Sequence, residues 1–208
     1  STNFTRAAEA AQRCLLAGAT GSGFQNRKEV GKVTNAYACL YDRKILEEVG
    51  LYDIRFKIGE DIELNNRLTK KAKYHLYVNP EAVTYYYRRK TLGKTLEQQF
   101  NYGFWRGKVL SKVREFRLKV ITPGLFLLIQ LFLMLFIIID LNALYALLGF
   151  WALYLAIVVF YSLGLSMVRN CSPVILVALF PAIHYGYGAG VLKGIFTAEM
   201  KPEPDESD

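Results

Sequence analysis

The chain has 208 residues, 52% of them hydrophobic, and a formal net charge of +8. Residues 1–119 hold 23 of the 26 Lys and Arg and 12 of the 18 Asp and Glu, residues 120–198 hold only Asp140, Arg169 and Lys193, and the last ten residues carry five acids against Lys201. Segregation of this kind argues against a soluble globular protein and for a membrane class, while the scattered Cys14, Cys39 and Cys171 and the distant His75 and His184 argue against a disulfide framework or a zinc site.

In chain order, residues 5–17 are Ala-rich and predict a helix, followed by a glycine-containing loop at 19–27. Residues 44–49 read as a short helix stopped by Gly50, and 52–59 as irregular. Residues 61–71 predict a helix with Ile62, Leu64 and Leu68 apolar and a basic end, Lys70-Lys71, that suits the helix dipole. The aromatic and β-branched runs 74–78 and 82–88, broken by Pro80, predict strands. Residues 95–112 form an amphipathic pattern rich in Phe, Tyr and Trp, the composition of a helix lying at a membrane interface. Residues 1–94 therefore predict part of a mixed α/β domain, with too few strands for a covered sheet, the others being expected upstream of Ser1. Residues 95–119 form the interfacial helix and a basic juxtamembrane stretch.

An all-α membrane portion follows over 120–198. Residues 121–139 contain no charge and as a helix would extend about 28 Å, close to a hydrocarbon core. Pro123 stands near the start, where a missing N–H costs least. After the polar turn Asp140-Leu141-Asn142, residues 143–168 are again charge-free, so the two segments predict a helical hairpin. A third apolar segment, 174–196, opens after Ser172-Pro173. In it Gly186, Gly190 and Gly194 recur every four residues on one face, predicting close packing on the other two spans. His184 sits near an aqueous end and is given no function. The basic residues Arg106, Lys108, Lys112, Arg114, Arg117 and Lys119 adjoin the first span against Glu115, and Arg169 falls on the same side. The positive-inside rule then places residues 1–119 in the cytoplasm and the chain in the cytoplasmic membrane as a multi-pass protein. Three full crossings would put the acidic tail, 199–208, which reads as disordered, outside. A re-entrant third segment would return it to the cytoplasm.

The stretch that carries chemistry is VGLYDIRFKIGEDIELNNRL, residues 49–68. By itself Gly59-Glu60-Asp61 with Glu63 is an acidic loop opening a helix, with Asp61 as N-cap and Glu63 as an early-turn acid. Its order, hydrophobic-Gly-hydrophobic-Tyr-Asp and then Gly-Glu-Asp-x-Glu-Leu-x-x-Arg, resembles the C-terminal part of the catalytic domain of family 2 glycosyltransferases. It is most similar to the membrane-bound group of exopolysaccharide synthesis, of succinoglycan type. Tyr41-Asp42-Arg43-Lys44-Ile45-Leu46 resembles that family's Y-R-R-x-hydrophobic element, and Gln99-Phe100-x-Tyr102-Gly103-x-x-Arg106 its Q-hydrophobic-x-Y-G-x-x-R helix.

The resemblance implies a partial GT-A fold and an inverting sugar transfer from a nucleotide sugar to a lipid-linked or polysaccharide acceptor. It implies Asp61 as general base, Glu60 as its neighbour shaping loop and charge, and a rigid seat for the base. Glu63 and Arg67, four apart on one helix face, suit a bracing salt bridge, while Arg67 could also serve the leaving diphosphate. Gln98, Gln99, Tyr102, Trp105 and Arg106 lie on the interfacial helix; they serve the acceptor or form an aromatic belt with Arg106 reaching to headgroups. The Q-x-x-R-W motif of processive members is absent. The basic runs suit anionic lipid rather than nucleic acid. The family's D-x-D motif is also absent, so the divalent cation, Mg or Mn, expected in the complete enzyme would have its ligands outside this chain, which alone should be inactive. The alternative is a non-catalytic membrane-anchored scaffold or partner-binding subunit.

Overall fold

The computed structural model describes residues 2–17, 28–33, 36, 39–113 and 118–197. The glycine-containing loop at 19–27, residues 114–117 of the basic stretch and the acidic tail lie outside them. Among the described residues, seven α-helices and two strands follow one another as α1 (Asn3–Gln12), β1 (Gly31–Val33), α2 (Arg43–Val49), α3 (Glu60–Asn66), β2 (Leu76–Val78), α4 (Leu92–Val113), α5 (Leu118–Phe136), α6 (Asn142–Arg169) and α7 (Pro173–Phe196).

Helix α1 starts on Thr2, whose hydroxyl accepts the Thr5 N–H at 3.2 Å, the usual relief for an orphan helix-start donor. Its alanines Ala7, Ala8, Ala10 and Ala11 are all buried, packed with Val158 of α6 and Leu176, Leu179 and Phe180 of α7. The predicted helix over 5–17 is interrupted: α1 ends at Gln12, and a 3-10 turn covers Leu15–Ala17. There the Leu16 carbonyl accepts from His184 Nε2 at 2.8 Å, while the Tyr154 hydroxyl meets His184 Nδ1 at 2.9 Å. His184 thus ties three segments together.

The sheet is a two-stranded antiparallel ribbon, with Gly31, Lys32 and Val33 opposite Val78, Tyr77 and Leu76. Strand β1 is too short to show an alternating pattern and was not expected from sequence. The expected strand over 82–88 does not form. Its alternation is real, since Tyr85 and Tyr87 are 88% and 90% exposed. The intervening Tyr86 and Arg88 instead bond side chains, Tyr86 to Gln98 of α4 and Arg88 to Gln12 of α1. Residues 81–87 are exposed, and a backbone open to water needs no ladder. The α/β expectation therefore reduces to one ribbon in a mostly helical chain.

Val33, Ala36, Leu64, Leu68 and Leu76 form the core of this polar half. Asn65 stitches it, donating to the Ala36 carbonyl at 2.7 Å and accepting the Tyr41 hydroxyl at 2.8 Å. Helix α2 is capped by Asp42, which accepts the Lys44 N–H at 2.8 Å, and closes on Gly50 in the left-handed conformation.

Among the described residues, three helices are long and apolar enough to cross a membrane, α5, α6 and α7. The first two form the expected hairpin: Phe126 packs on Phe150 and Tyr154 with ring centroids 5.3 and 5.0 Å apart. The glycine face of α7 meets a different partner from the expected one. A Cβ on Gly190 would lie 2.1 Å from the Phe100 carbonyl oxygen, and one on Gly194 2.1 Å from that of Phe104. Reciprocally, a Cβ on Gly103 would strike the Tyr187 carbonyl and one on Gly107 that of Val191. The pairs advance together, so α4 and α7 run parallel with their backbones in contact. Only Gly188 turns to α5, against the Pro123 carbonyl. Residues 95–112, read as an interfacial helix, are thus locked to the last apolar helix. The buried face of α4 carries Thr95, Gln98, Gln99, Gly103, Gly107, Lys108 and Val109 rather than its aromatic residues.

Candidate functional site

Helix α3 carries the acidic motif, and Gly59 sets its direction. Gly59 has φ 84°, ψ 13°, a conformation that costs a non-glycine residue roughly 1–2 kcal/mol. Its carbonyl accepts the N–H groups of Ile62 and Glu63 at 3.1 and 3.0 Å. Asp61 was read as the N-cap, but Gly59 holds that position and Asp61 is the second helical residue. The carboxylate accepts the adjacent Ile62 N–H at 2.7 Å. Glu60, Asp61 and Glu63 all stand in the first turn, where the helix dipole favours negative charge.

Burial is the main influence on Asp61, pushing its pKa above the usual aspartate value, and the neighbouring Glu60 charge adds to it. The Ile62 N–H and the Arg106 cation of α4 pull the other way without cancelling it. Tyr52 is near enough to feel both Asp61 and Glu60; burial raises its hydroxyl pKa first, and these two charges add to that. Asp61, Glu60, Tyr52 and Arg106 therefore share one electrostatic neighbourhood between α3 and α4.

Behind that group lies a buried ion network. Glu63, only 2% exposed, accepts from Arg67 at 2.8–3.0 Å through both carboxylate oxygens and from Lys112 Nζ at 2.8 Å. Arg67 also donates to the carbonyls of Val49 and Leu51. Lys112 reaches Asp53 as well, and Asp53 holds Arg55 in a two-point pair. The guanidinium of Arg67 is thereby committed to α3 and to the chain leading out of Gly50. The Arg55 partner first, and Lys112 after it, hold the Asp53 carboxyl well below the usual range. A carboxyl depressed on folding contributes stability that is complete above its ordinary value and lost as pH falls toward the folded one. Acid should therefore loosen this network.

The α4 residues named from sequence divide between separate surroundings. Arg106 faces Asp61. Trp105 packs on Phe56, centroids 6.0 Å apart, and on Phe104 at 5.4 Å. Gln99 is buried in the α7 seam, its Cβ 3.4 Å from where a Gly186 Cβ would stand. Tyr102 belongs to a cluster with Gln98, whose amide donates to the hydroxyls of Tyr86 at 2.5 Å and Tyr102 at 3.2 Å. Burial, with Tyr86 second, pushes the Tyr102 hydroxyl up to about 12. The buried Gln98 Oε1 has no hydrogen-bond partner among the described residues. Sequence reasoning missed Lys112 as an ion-network residue, because it sits in a basic run that suits lipid, and it gave Tyr52 no part in the site.

Among the described residues, no group of three or more His, Cys, Asp or Glu is placed to hold a metal ion.

No family model matches the chain, and no solved structure does. Over 93 residues it is 34% identical to the dolichyl N-acetyl-alpha-D-glucosaminyl phosphate 3-beta-D-2,3-diacetamido-2,3-dideoxy-beta-D-glucuronosyltransferase of Methanococcus voltae. The match covers 44% of this chain and 29% of that protein, so the chain spans less than a third of its relative's length. The chain is similar to a glycosyltransferase, and it carries three helices of membrane-crossing length.

Proposed function

We propose that this chain is the acceptor-side, membrane-anchored part of an inverting family 2 glycosyltransferase of GT-A type, in which Asp61 is the general base. The observation that carries the reading is the seat of Asp61: a half-buried carboxylate in the first turn of α3, bonded to the Ile62 N–H, its pKa raised by burial and within the electrostatic reach of Arg106. A general base must sit within about 3 Å of the proton it removes, and a pKa moved toward the working pH improves proton transfer. Ionised Asp61 takes the proton of an acceptor hydroxyl as that oxygen attacks the anomeric carbon of a nucleotide sugar. The bond from that carbon to the diphosphate breaks, and the nucleoside diphosphate departs with the electron pair. Glu60 keeps the Asp61 pKa raised, and Arg106 offers its cation to the developing charge on the acceptor side. Tyr102, Trp105 and Gln99 give α4 its acceptor-facing character, Gln99 through the seam that holds the helix in place. Arg67 braces α3 in this reading, through Glu63 and two carbonyls.

The relative's printed name describes transfer onto a dolichyl-linked sugar phosphate, which supports a lipid-linked or glycan acceptor here. The donor is a nucleotide sugar, and residues 1–119 face the cytoplasm, where such donors occur. The divalent cation expected from the family has no fitting donor set among the described residues, and no step is assigned to it. Membranes carrying the complete gene product should transfer label from one of a panel of nucleotide sugars into extractable lipid or polymer. Absence of transfer across the panel, with the protein folded in the membrane, would contradict the proposal.

The raised Asp61 pKa gives a pH dependence. The base works only when ionised, so kcat/KM should fall as pH drops through a value above the ordinary aspartate range of about 3.9. Removing the adjacent charge with Glu60→Gln should move that acid limb to lower pH, because Glu60 raises the Asp61 value. A pH–rate profile of the two proteins checks the direction.

A further inference from the structure

We propose that α7 is not a third crossing but a re-entrant helix, embedded in the leaflet that faces α1–α4, so that the chain crosses the bilayer twice. The inference rests on the membrane reading of α5 and α6 and takes up their geometry. Phe126 and its partner Tyr154 each stand fourteen residues from Asp140 in the connecting turn, which is about 20 Å along each leg. The legs therefore run side by side through most of a hydrocarbon core of about 30 Å. The start of α5 and the end of α6 then lie on one face of the membrane.

Both ends of α7 lie on that same face. Its first residue follows the end of α6 after Asn170, Cys171 and Ser172. Phe180 packs on Tyr161, centroids 5.9 Å apart, at a level about 30 Å from the turn. The helix then dips: His184 and Tyr185 meet Phe126, and Tyr185 stacks on Trp151 and bonds Gln130. These are the deepest ring and hydrogen-bond contacts of α7 among the described residues. Its second half goes no deeper, with Gly188 on the Pro123 carbonyl and beside Leu127, and Leu192 on Gly124, all in the first half of α5. At its end the Thr197 carbonyl accepts from Lys108 of α4 at 3.0 Å. From His184 to Leu192 the contacts of α7 with α5 stay between Pro123 and Gln130, so α7 lies across the hairpin near the side it left and does not run down to the turn.

The surroundings of α7 agree. Half of its most apolar stretch, 50%, is buried inside the protein, against 11% for α5 and 17% for α6. Its second half carries α4 along its length, and α4 bears Lys94, Glu97, Arg106, Lys108 and Lys112. A helix so charged belongs at an aqueous boundary, not in hydrocarbon. Its first half carries α1, with Arg6, Glu9 and Arg13. Val174 and Phe196, at opposite ends of α7, are 76% and 80% exposed and would anchor both ends in one leaflet.

Cysteine labelling in sealed vesicles tests this. In the complete gene product with Cys14, Cys39 and Cys171 replaced, single cysteines are introduced as Glu81→Cys in the polar half, Leu141→Cys in the hairpin turn and Glu203→Cys beyond α7. A membrane-impermeant maleimide is then applied from each side. The expected result is that positions 81 and 203 react from one side and position 141 from the other. Reaction of 203 from the same side as 141 would overturn the re-entrant assignment while leaving the hairpin intact. Reaction of all three from one side would show instead that α5 and α6 do not cross, and the membrane reading itself would fail.

Discussion

Gly190→Leu should separate α4 from α7 and destabilise the protein by about 3 kcal/mol or more, above the usual cost of overpacking. The obstacle is backbone, since the first added carbon would already stand 2.1 Å from the Phe100 carbonyl oxygen and 2.7 Å from the Phe104 nitrogen. Neither atom can move without displacing a helix. The loss should reach the site, because the same α4 supplies Arg106 to Asp61 and Lys112 to Glu63. Gly149→Leu is the control, with nothing within 4 Å of its would-be Cβ, and it should behave like wild type apart from a modest helix-propensity effect. Thermal unfolding in detergent reads both. A Gly190→Leu protein as stable as the control would show that the two helices do not pack through this seam.

Glu63→Ala should be comparably damaging. Truncating one partner of a buried ion pair costs about 3–5 kcal/mol, because the charges left behind lose their compensation. Here two cations, Arg67 and Lys112, face the 2% exposed carboxylate. Removing it also releases the link between α3, the carbonyls of Val49 and Leu51, and α4. Lys112→Met should cost less, since Lys112 is a third exposed and Asp53 keeps its Arg55 partner. Equal stability of Glu63→Ala and wild type in a denaturation series would remove the network from the account.

Much of this arrangement is legible from sequence, where local rules decide. Charge-free runs of sufficient length marked α5 and α6, an apolar run broken by Lys193 marked α7, and Gly50 marked the end of α2 by its left-handed cap. The Glu63–Arg67 pair followed from four-residue spacing. What escaped depended on partners far along the chain. Tyr86 and Arg88 form no ladder and spend their side chains on Gln98 and Gln12, a choice no local alternation reveals. Gly186, Gly190 and Gly194 signalled a close helix approach, yet the partner is α4, whose own Gly103 and Gly107 lie within a stretch read for charge and aromatics. Gly59, not Asp61, took the cap, because the chain enters α3 through a left-handed residue. That shift leaves the Asp61 carboxylate outside the capping position, turned to its own neighbour's N–H and within the electrostatic reach of Arg106.

Asp61→Asn, assayed for sugar transfer and thermal stability in the same preparation of the complete gene product, tests the central claim most directly. Burial raises the Asp61 pKa, so the ionised carboxylate weakens the fold at neutral pH, and a neutral amide should leave the melting temperature equal or higher. General-base catalysis contributes about 10²–10⁴-fold, and transfer should fall by at least that much. A variant that melts like wild type and still transfers sugar at the wild-type rate would contradict the assignment of Asp61 as the base.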